Sequence, residues 1–120
     1  MGVKKFKEYV AILSQSGTDA PVATVLQNEL GPVTFSRTGV GQYTLTCTGA
    51  FSSGKVFISP FHSVLTDGGD TGFAFYADII DSNVIAISSY GMESTGGPYY
   101  VTTAEDDHIF TVPITIRVYY

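Results

Sequence analysis

Apolar and polar residues alternate along much of the chain, in short runs that turn residues interrupt roughly every ten positions. In residues 42–48, Tyr43, Leu45 and Cys47 alternate with threonines, and glycines stand at both ends of the run. A period of two places successive side chains on opposite faces of a strand. We therefore predict a half-buried strand here, with Tyr43, Leu45 and Cys47 in the core and the threonines towards solvent.

Similar runs recur along the chain, and Asp81-Ser82-Asn83 joins two of them in a predicted tight hairpin. Segments 61–72 and 90–98 are predicted to be long loops. The run VATVLQNEL fits either a strand or a helical turn that ends at Gly31. Regular short strands with glycine-rich turns predict an all-β fold, an antiparallel β-sandwich or jelly-roll-like domain of about eight strands.

The last run, ITIRVYY, is β-prone and nearly uncharged. Ile114, Ile116 and Val118 are expected to face the core, with Thr115 and Arg117 on the other side. A free edge with this composition would invite pairing with other chains. We therefore expect this strand to lie in the middle of a sheet or to be covered by a partner.

The chain has 120 residues, which is the length of one domain, and we assign residues 1–120 to a single β-sandwich domain with residues 1–5 as a flexible tail. Charged residues make up only 14%, against roughly 25% in ordinary soluble domains. So few charges fit either a neutral polar surface or a surface that is largely hidden in an assembly.

The net charge is −5, and only Lys4, Lys5 and Lys7 cluster among the six basic residues. A nucleic-acid-binding protein needs a basic stripe to neutralise phosphates, so nucleic acid is not an expected partner. The apolar run YVAIL is too short for a signal peptide or a membrane span, so we expect synthesis in the cytoplasm and no membrane partner. Cys47, the single cysteine, is expected to be a small buried hydrophobe.

Recognisable catalytic sequence patterns are absent, including the nucleophile elbow, the P-loop, the dinucleotide fingerprint and zinc-ligand spacings. His62, Ser63 and Asp67 could be combined on paper into a triad, but serine and aspartate are too common here to carry that reading. We predict no enzymatic activity, no catalytic residues and no cofactor.

Two acidic segments, Asp67–Asp70 and Glu105–Asp107, could supply oxygen ligands to calcium, or they could be solvated turns. His108 follows the second segment. The EF-hand spacing is absent, and no metal site is assigned.

Several tyrosines lie in or next to predicted loops, or at the C-terminus. Exposed tyrosines suit protein interfaces, and their rings also suit stacking against sugars, although an ordinary place in the core or its rim explains them as well. The candidate interface or glycan contacts are Tyr90, Tyr99, Tyr100, Tyr119 and Tyr120.

Residues 9–31, YVAILSQSGTDAPVATVLQNELG, carry the pattern Q-x-G-T-x-A-P-x-x-x-V-L-x-N-x-L-G after an alternating aromatic-x-A-x-L start. The segment resembles one that recurs in small β-proteins of bacteriophages and prophages, especially those of Bacteroidetes. The following VTFSRTGVGQYTLTCTGAF continues the likeness, and ITIRVYY resembles the closing strand of the same proteins and of C1q-like or tumour-necrosis-factor-like jelly rolls. The motif residues read as structural: Gly17 and Gly31 end elements, Pro21 fixes a loop, and Asn28 bonds its own backbone.

The resemblance implies a virion component: a capsid decoration or auxiliary protein, a head fibre, or a tail-associated module. The expected partners are other virion proteins and further copies of the chain, with a trimer favoured, and the expected location is the virion after synthesis in the host cytoplasm. The alternative is a receptor- or glycan-binding tip module of a phage fibre, in which loops 61–72 and 90–98 carry the site.

Overall fold

A computed structural model of the protein describes residues 5–59, 64–65, 71–94, 100–106, 109 and 112–120. Within these ranges the chain forms ten strands and no helix. The strands are β1 Phe6–Ser14, β2 Val22–Asn28, β3 Thr34–Gly39, β4 Gln42–Thr46, β5 Val56–Ile58, β6 Val64–Leu65, β7 Thr71–Ile79, β8 Val84–Ser94, β9 Tyr100–Ala104 and β10 Val112–Tyr119. Two of them go beyond the eight predicted: β2, from the ambiguous VATVLQNEL run, and the two-residue β6.

The strands form two sheets in which every pairing is antiparallel. The four-stranded sheet has the order β2-β1-β10-β5, and the six-stranded sheet has the order β3-β4-β8-β7-β6, with β9 also paired to β8. The long β8 pairs with β4 along its first half and with β9 along its second half. The predicted all-β antiparallel sandwich is confirmed.

The core lies between the two sheets and takes side chains from the inner faces of both. In β4, Tyr43 and Leu45 are buried as predicted, Cys47 just beyond the strand is buried too, and the threonines between them are more accessible. The hydrophobic core consists of Tyr9, Ala11, Leu13, Tyr43, Leu45, Cys47, Phe51, Phe75, Ile85, Ile87, Ile109, Val112, Ile114, Ile116 and Val118.

The C-terminal strand β10 lies between β1 and β5, so it has a hydrogen-bonded neighbour on each side. Ile114, Ile116 and Val118 are buried, whereas Thr115 and Arg117 are only partly covered. The prediction that this strand lies inside a sheet and turns its β-branched side chains to the core is confirmed.

Residues 9–31, the segment that carries the resemblance, form most of β1, a turn and β2, and polar side chains in this segment stabilise the turns. The Gln15 side chain is 2% exposed and donates from Nε2 to the carbonyl oxygens of Gly17 (2.8 Å) and Asp19 (3.0 Å). Gly17 has a φ of 56°, which favours glycine because it has no Cβ. The turn between β1 and β2 therefore depends on a buried amide and a left-handed glycine.

Asn28 forms the turn after β2, as predicted. Its Oδ1 accepts hydrogen bonds from the amides of Leu30 (2.9 Å) and Gly31 (3.3 Å), and its Nδ2 donates to the Gly31 carbonyl (2.7 Å). Gly31 has a φ of 113°. A side chain that bonds its own backbone ends the strand, and no helical turn follows β2.

The predicted loop at 90–98 is wrong in its first half, because β8 continues to Ser94. Gly91, within the predicted loop, lies inside the strand instead, where a Cβ would collide with the Glu105 carboxylate. A larger residue would displace that carboxylate, so the glycine leaves room for the Glu105 side chain, and close approach of this kind is a regular use of glycine inside strands. The predicted loop at 61–72 contains β6 and the start of β7; its other residues lie outside the described ranges.

The predicted hairpin at Asp81-Ser82-Asn83 joins β7 to β8. The Ile80 amide donates to the Val84 carbonyl (2.9 Å), and the Asn83 amide donates to Asp81 Oδ1 (2.7 Å). At the N-terminus, residues 1–4 of the predicted tail lie outside the described ranges, while the carbonyl of the exposed Lys5 accepts from the Tyr120 amide (3.2 Å).

Candidate functional site

The outer face of the six-stranded sheet carries a cluster of tyrosine and polar side chains. In β7, Phe75 is buried against the core, so Tyr76 points to the opposite, outer side by strand alternation. Antiparallel register aligns Tyr76 with Ser88 and Ser88 with Gln42, which gives a row across three adjacent strands. We call this area the tyrosine face and define it by Gln42, Tyr76, Asp78, Ser88 and Tyr90.

The two tyrosine rings form the aromatic part of the tyrosine face. Their centroids are 5.6 Å apart and their planes meet at 68°, an edge-to-face arrangement typical of aromatic pairs. Tyr76 is 53% exposed, so about half of this residue is available for contact. Together with Asp78 and Ser88, the rings line a shallow depression of about 410 Å³.

Polar groups of the tyrosine face lie beside the rings. Ser88 Oγ donates to Gln42 Oε1 at 3.2 Å, which leaves the Gln42 amide nitrogen as a further donor group at this surface. Asp78 is exposed and supplies a carboxylate at the same depression. The face thus combines flat apolar rings with an acceptor and donors at short range.

Five tyrosines were predicted as contacts. Among those that the structure describes, Tyr90 alone lies on the tyrosine face, and it belongs to strand β8 and not to a loop. Tyr99 lies outside the described ranges, and Tyr100 begins β9, where it pairs with Ser94. Tyr119 and Tyr120 lie instead at the end of β10, in the other sheet. Among the described residues, Tyr90 and the two C-terminal tyrosines therefore lie on different sheets.

Tyr119 and Tyr120 line a second depression, of about 350 Å³. It lies between the end of β10 and the turns after β4, and its wall includes Lys7 and Ser52. Tyr120 is 68% exposed. This depression is separate from the tyrosine face and has a lysine where the tyrosine face has an aspartate.

The sequence prediction missed Tyr76, Asp78, Ser88 and Gln42. The alternation in FAFYADII contains the signal that would have found the first two, because Phe75 and Ala77 point inwards and so Tyr76 and Asp78 point outwards. Ser88 and Gln42 join them only through the strand register, which the sequence does not reveal.

Asp106, in the second acidic segment, is neither in a solvated turn nor open as a calcium ligand. Its Oδ2 accepts from Arg37 Nη2 (2.7 Å), and its Oδ1 accepts from Arg37 Nε (3.2 Å), the Tyr43 hydroxyl (2.6 Å) and the Gly41 amide (3.1 Å). The Arg37 hydrogen bonds hold the pKa of Asp106 far below its ordinary value; the bonds from Tyr43 and Gly41 act in the same direction, and partial burial opposes them. The carboxylate therefore joins the β3–β4 hairpin to the segment after β9.

Other candidate chemistry gives no assembled site. His62, Ser63, His108 and the Asp67–Asp70 segment lie outside the described ranges, as does Asp107. Among the described residues, no group of three histidine, cysteine or acidic side chains could hold a metal ion. Cys47 is buried, and burial raises the pKa of its thiol, which favours the unreactive neutral form.

The described part of the chain contains no helix long and apolar enough to cross a membrane. Comparisons of the chain with protein-family models, with curated proteins and with solved structures gave no match.

Proposed function

We propose that the chain is a non-enzymatic structural protein of a bacteriophage virion, acting through protein–protein contacts as a capsid decoration or auxiliary protein, a head fibre or a tail-associated module. The observation that carries the proposal is the outer face of the four-stranded sheet. We call it the apolar face and define it by Val10, Ile12, Val22, Phe57 and Pro113. Strand register places these residues on the side away from the core.

The apolar face exposes large apolar side chains, which is unusual for a surface that stays in water. Val22 is 68% exposed and Phe57 is 50% exposed, and they lie on the two edge strands of the sheet, β2 and β5. Val10 and Ile12 fill the surface of β1 between the edges and are half-buried. Register places Thr24 and Thr115 among them on the same face, so the surface is mixed and its most exposed apolar residues lie at the two edges. Exposed apolar residues on sheet edges favour contact with another protein.

One end of the apolar face carries two aromatic residues beside an arginine. The Arg117 guanidinium lies 4.8 Å above the Phe6 ring and pairs with Glu8 through Nε and Oε2 at 2.7 Å. Tyr119 packs against Phe6 with ring centroids 5.2 Å apart. Aromatic residues and arginine are enriched in protein interfaces, so this end supports the same proposal, with Tyr119 as a contact residue.

The edge strand β2 supports it further. Edge strands normally carry lysine, proline or other features that prevent pairing with another chain. The sequence of β2, VATVLQN, has no charged residue, and it leaves Leu26 63% exposed and Val25 49% exposed. An uncharged apolar edge is acceptable where a neighbouring subunit covers it.

The resemblance of residues 9–31 to phage and prophage proteins supplies the virion part of the proposal, since this segment forms β1, β2 and the turn between them. The partners are then other virion proteins and further copies of the chain, in a closed symmetric oligomer for which we favour a trimer. The location is the virion, after synthesis in the host cytoplasm.

The direct test is mass spectrometry of particles purified from a lysate of the phage or induced prophage that encodes the chain. We expect the chain to co-purify with particles through a density gradient, in a fixed ratio to the major capsid protein. An early cytoplasmic protein of the same phage serves as the control and should be lost. Absence of the chain from washed particles would overturn the proposal.

The apolar face is tested by a matched pair of substitutions. Val22→Lys places a charge on the apolar face, and Val40→Lys places the same charge on the β3–β4 turn, where Val40 is 56% exposed. Light scattering should show that the first variant dissociates to monomers while the second keeps the mass of the unmodified oligomer. Equal masses for both variants, or a monomeric unmodified protein, would contradict assembly through this face.

A further inference from the structure

We propose that the tyrosine face binds a neutral oligosaccharide. The inference goes beyond the proposed function and does not rest on it, because the tyrosine face and the apolar face belong to different sheets. It also places the site on the outer surface of strands β4, β7 and β8, not in the loops that were expected to carry one.

The aromatic half of the argument is the ring pair. Sugar rings present apolar C–H groups on their faces, and these pack against flat aromatic rings without losing the solvation of their hydroxyls. Tyr76 offers a half-exposed ring, and Tyr90 lies edge-to-face with it at 5.6 Å. The two planes differ by 68°, so a sugar lying on one ring meets the edge of the other. This arrangement fits one sugar unit in a defined orientation.

The polar half of the argument is the row beside the rings. The Asp78 carboxylate has only acceptor oxygens, which suit donation by sugar hydroxyls, and bonds to an ionised acceptor are the stronger kind. Ser88 and Gln42 are already oriented by their mutual hydrogen bond of 3.2 Å. The Gln42 amide nitrogen remains to donate to a sugar oxygen. Flat apolar surface flanked by a carboxylate and an amide is the chemistry that recognises a polyhydroxylated ring.

The charge of the tyrosine face decides which sugars fit. The described residues that line its depression are Tyr76, Asp78, Ser88 and Tyr90, and these four supply one anion and no cation. The whole chain carries a net charge of −5. Sulfated, phosphorylated and uronic sugars would meet like charge on this face, so the ligand is a neutral sugar.

The size of the depression fits the same ligand. A volume of about 410 Å³ lies at the small end of ligand sites, and an open depression on a sheet contacts one or two sugar units of a longer chain. Each copy would then bind weakly, and an oligomer that presents several copies would gain strength by linked binding.

The test is a titration of the full chain with cello-, chito-, manno- and galacto-oligosaccharides, followed by calorimetry and by the tyrosine emission of a protein that has no tryptophan. We expect saturable binding to at least one neutral series and none to a sulfated oligosaccharide of the same length. Silence across all four neutral series, or equal binding of the sulfated compound, would overturn the proposal.

Three variants assign the binding to the tyrosine face. Tyr76→Ala and Tyr90→Ala should each weaken binding about two- to tenfold, the range expected for removal of one aromatic contact. Tyr120→Ala is the matched control, since it removes an exposed ring from the other depression and should bind as the unmodified chain does. Asp78→Asn should also weaken binding while it keeps the shape of the surface.

Two further measurements keep the outcome decisive. Tyr76→Phe retains the ring and should retain most of the affinity, and circular dichroism should show that all variants are folded. If Tyr76→Ala binds the sugar as the unmodified chain does, the tyrosine face is not a sugar site. The same conclusion follows if the substitution changes the mass of the oligomer and leaves the sugar affinity unchanged.

Discussion

At the scale of single residues, Asp106 joins distant parts of the chain through four hydrogen bonds. Four donor groups converge on its carboxylate, and the groups that supply them are 63 to 69 positions away in the sequence. Gly41 is one of these donors and has a φ of 64°, with Ser89 and Glu105 so close that a Cβ would approach their backbone to 2.5 Å. Charge, backbone conformation and close packing thus coincide where β4 and β9 meet on β8.

The lowered pKa of Asp106 predicts a pH-dependent contribution to stability. A carboxyl whose folded pKa lies below its unfolded value, near 4, stabilises the fold above that unfolded value and loses the effect as pH falls towards the folded pKa. Asp106→Asn should therefore unfold at a lower temperature than the unmodified chain at pH 7, and the difference should shrink below about pH 4. Thermal unfolding from pH 7 to pH 2 measures this. A constant gap across that range would contradict the assignment.

The strand face of β4 is tested by two neighbouring residues. Leu45 is fully buried, so Leu45→Ala should cost about 2–5 kcal/mol through lost transfer energy and the cavity left behind. Thr46 points the other way and is partly accessible, so Thr46→Ser should cost well under 1 kcal/mol, as surface changes typically do. Chemical denaturation of both variants provides the comparison, and similar costs would mean that the face assignment is wrong.

Burial at the residue scale could be predicted wherever alternation was strict. The period of two was enough to predict the burial of Tyr43, Leu45 and Cys47, and of the isoleucines of β10. The partners of Asp106 could not be predicted. A short acidic segment has the same sequence whether it is solvated or bonded to an arginine 69 positions away. The tyrosine face is intermediate. Alternation alone predicts that its β7 residues point outwards, but only the strand register shows that its β4 and β8 residues lie beside them.

At the scale of elements, the sequence predicted most strand positions and misjudged where some of them end. The rule that glycine interrupts a strand fails at Gly91, where the Glu105 carboxylate occupies the space a side chain would need. The ambiguity of β2 had a different cause. Its residues are mostly exposed, so no burial pattern distinguishes strand from helix, and only pairing with β1 decides the matter.

The central position of β10 predicts that the strand is indispensable. Ile114, Ile116 and Val118 each contribute about 1.5–3 kcal/mol when fully buried, against a net stability of about 5–15 kcal/mol for a small domain. Deleting residues 114–120 should therefore give an unfolded or insoluble product, because it also removes the neighbour of both β1 and β5. Deleting Tyr120 alone, which is 68% exposed, is the control and should leave a soluble fold. A soluble, cooperatively folded 114–120 deletion would show that the strand is peripheral.

At the scale of the whole molecule, the two outer faces differ in chemistry while the inner faces form one core. The apolar face presents aliphatic residues and Phe57, with Arg117 at one end, and the tyrosine face presents two phenol rings beside a carboxylate and an amide. Since they belong to different sheets, the proposed association through the apolar face would not itself use the residues of the tyrosine face. The proposed assembly on a particle and the proposed sugar binding therefore do not compete for the same sheet face.

A single core shared by two sheets predicts that the domain unfolds as one unit. Ile116 in β10 and Ile87 in β8 belong to different sheets, and both are fully buried in the same hydrophobic cluster. Ile116→Val and Ile87→Val should each cost about 0.5–1.5 kcal/mol, and each should shift the far-ultraviolet circular dichroism and tyrosine fluorescence transitions by the same amount. The denaturant dependence should keep its slope, because the surface exposed on unfolding does not change. Thr46→Ser is the control and should leave both transitions in place. If either isoleucine variant moved one probe and not the other, the sheets would be unfolding separately, and the two outer faces could no longer be treated as parts of one cooperative domain.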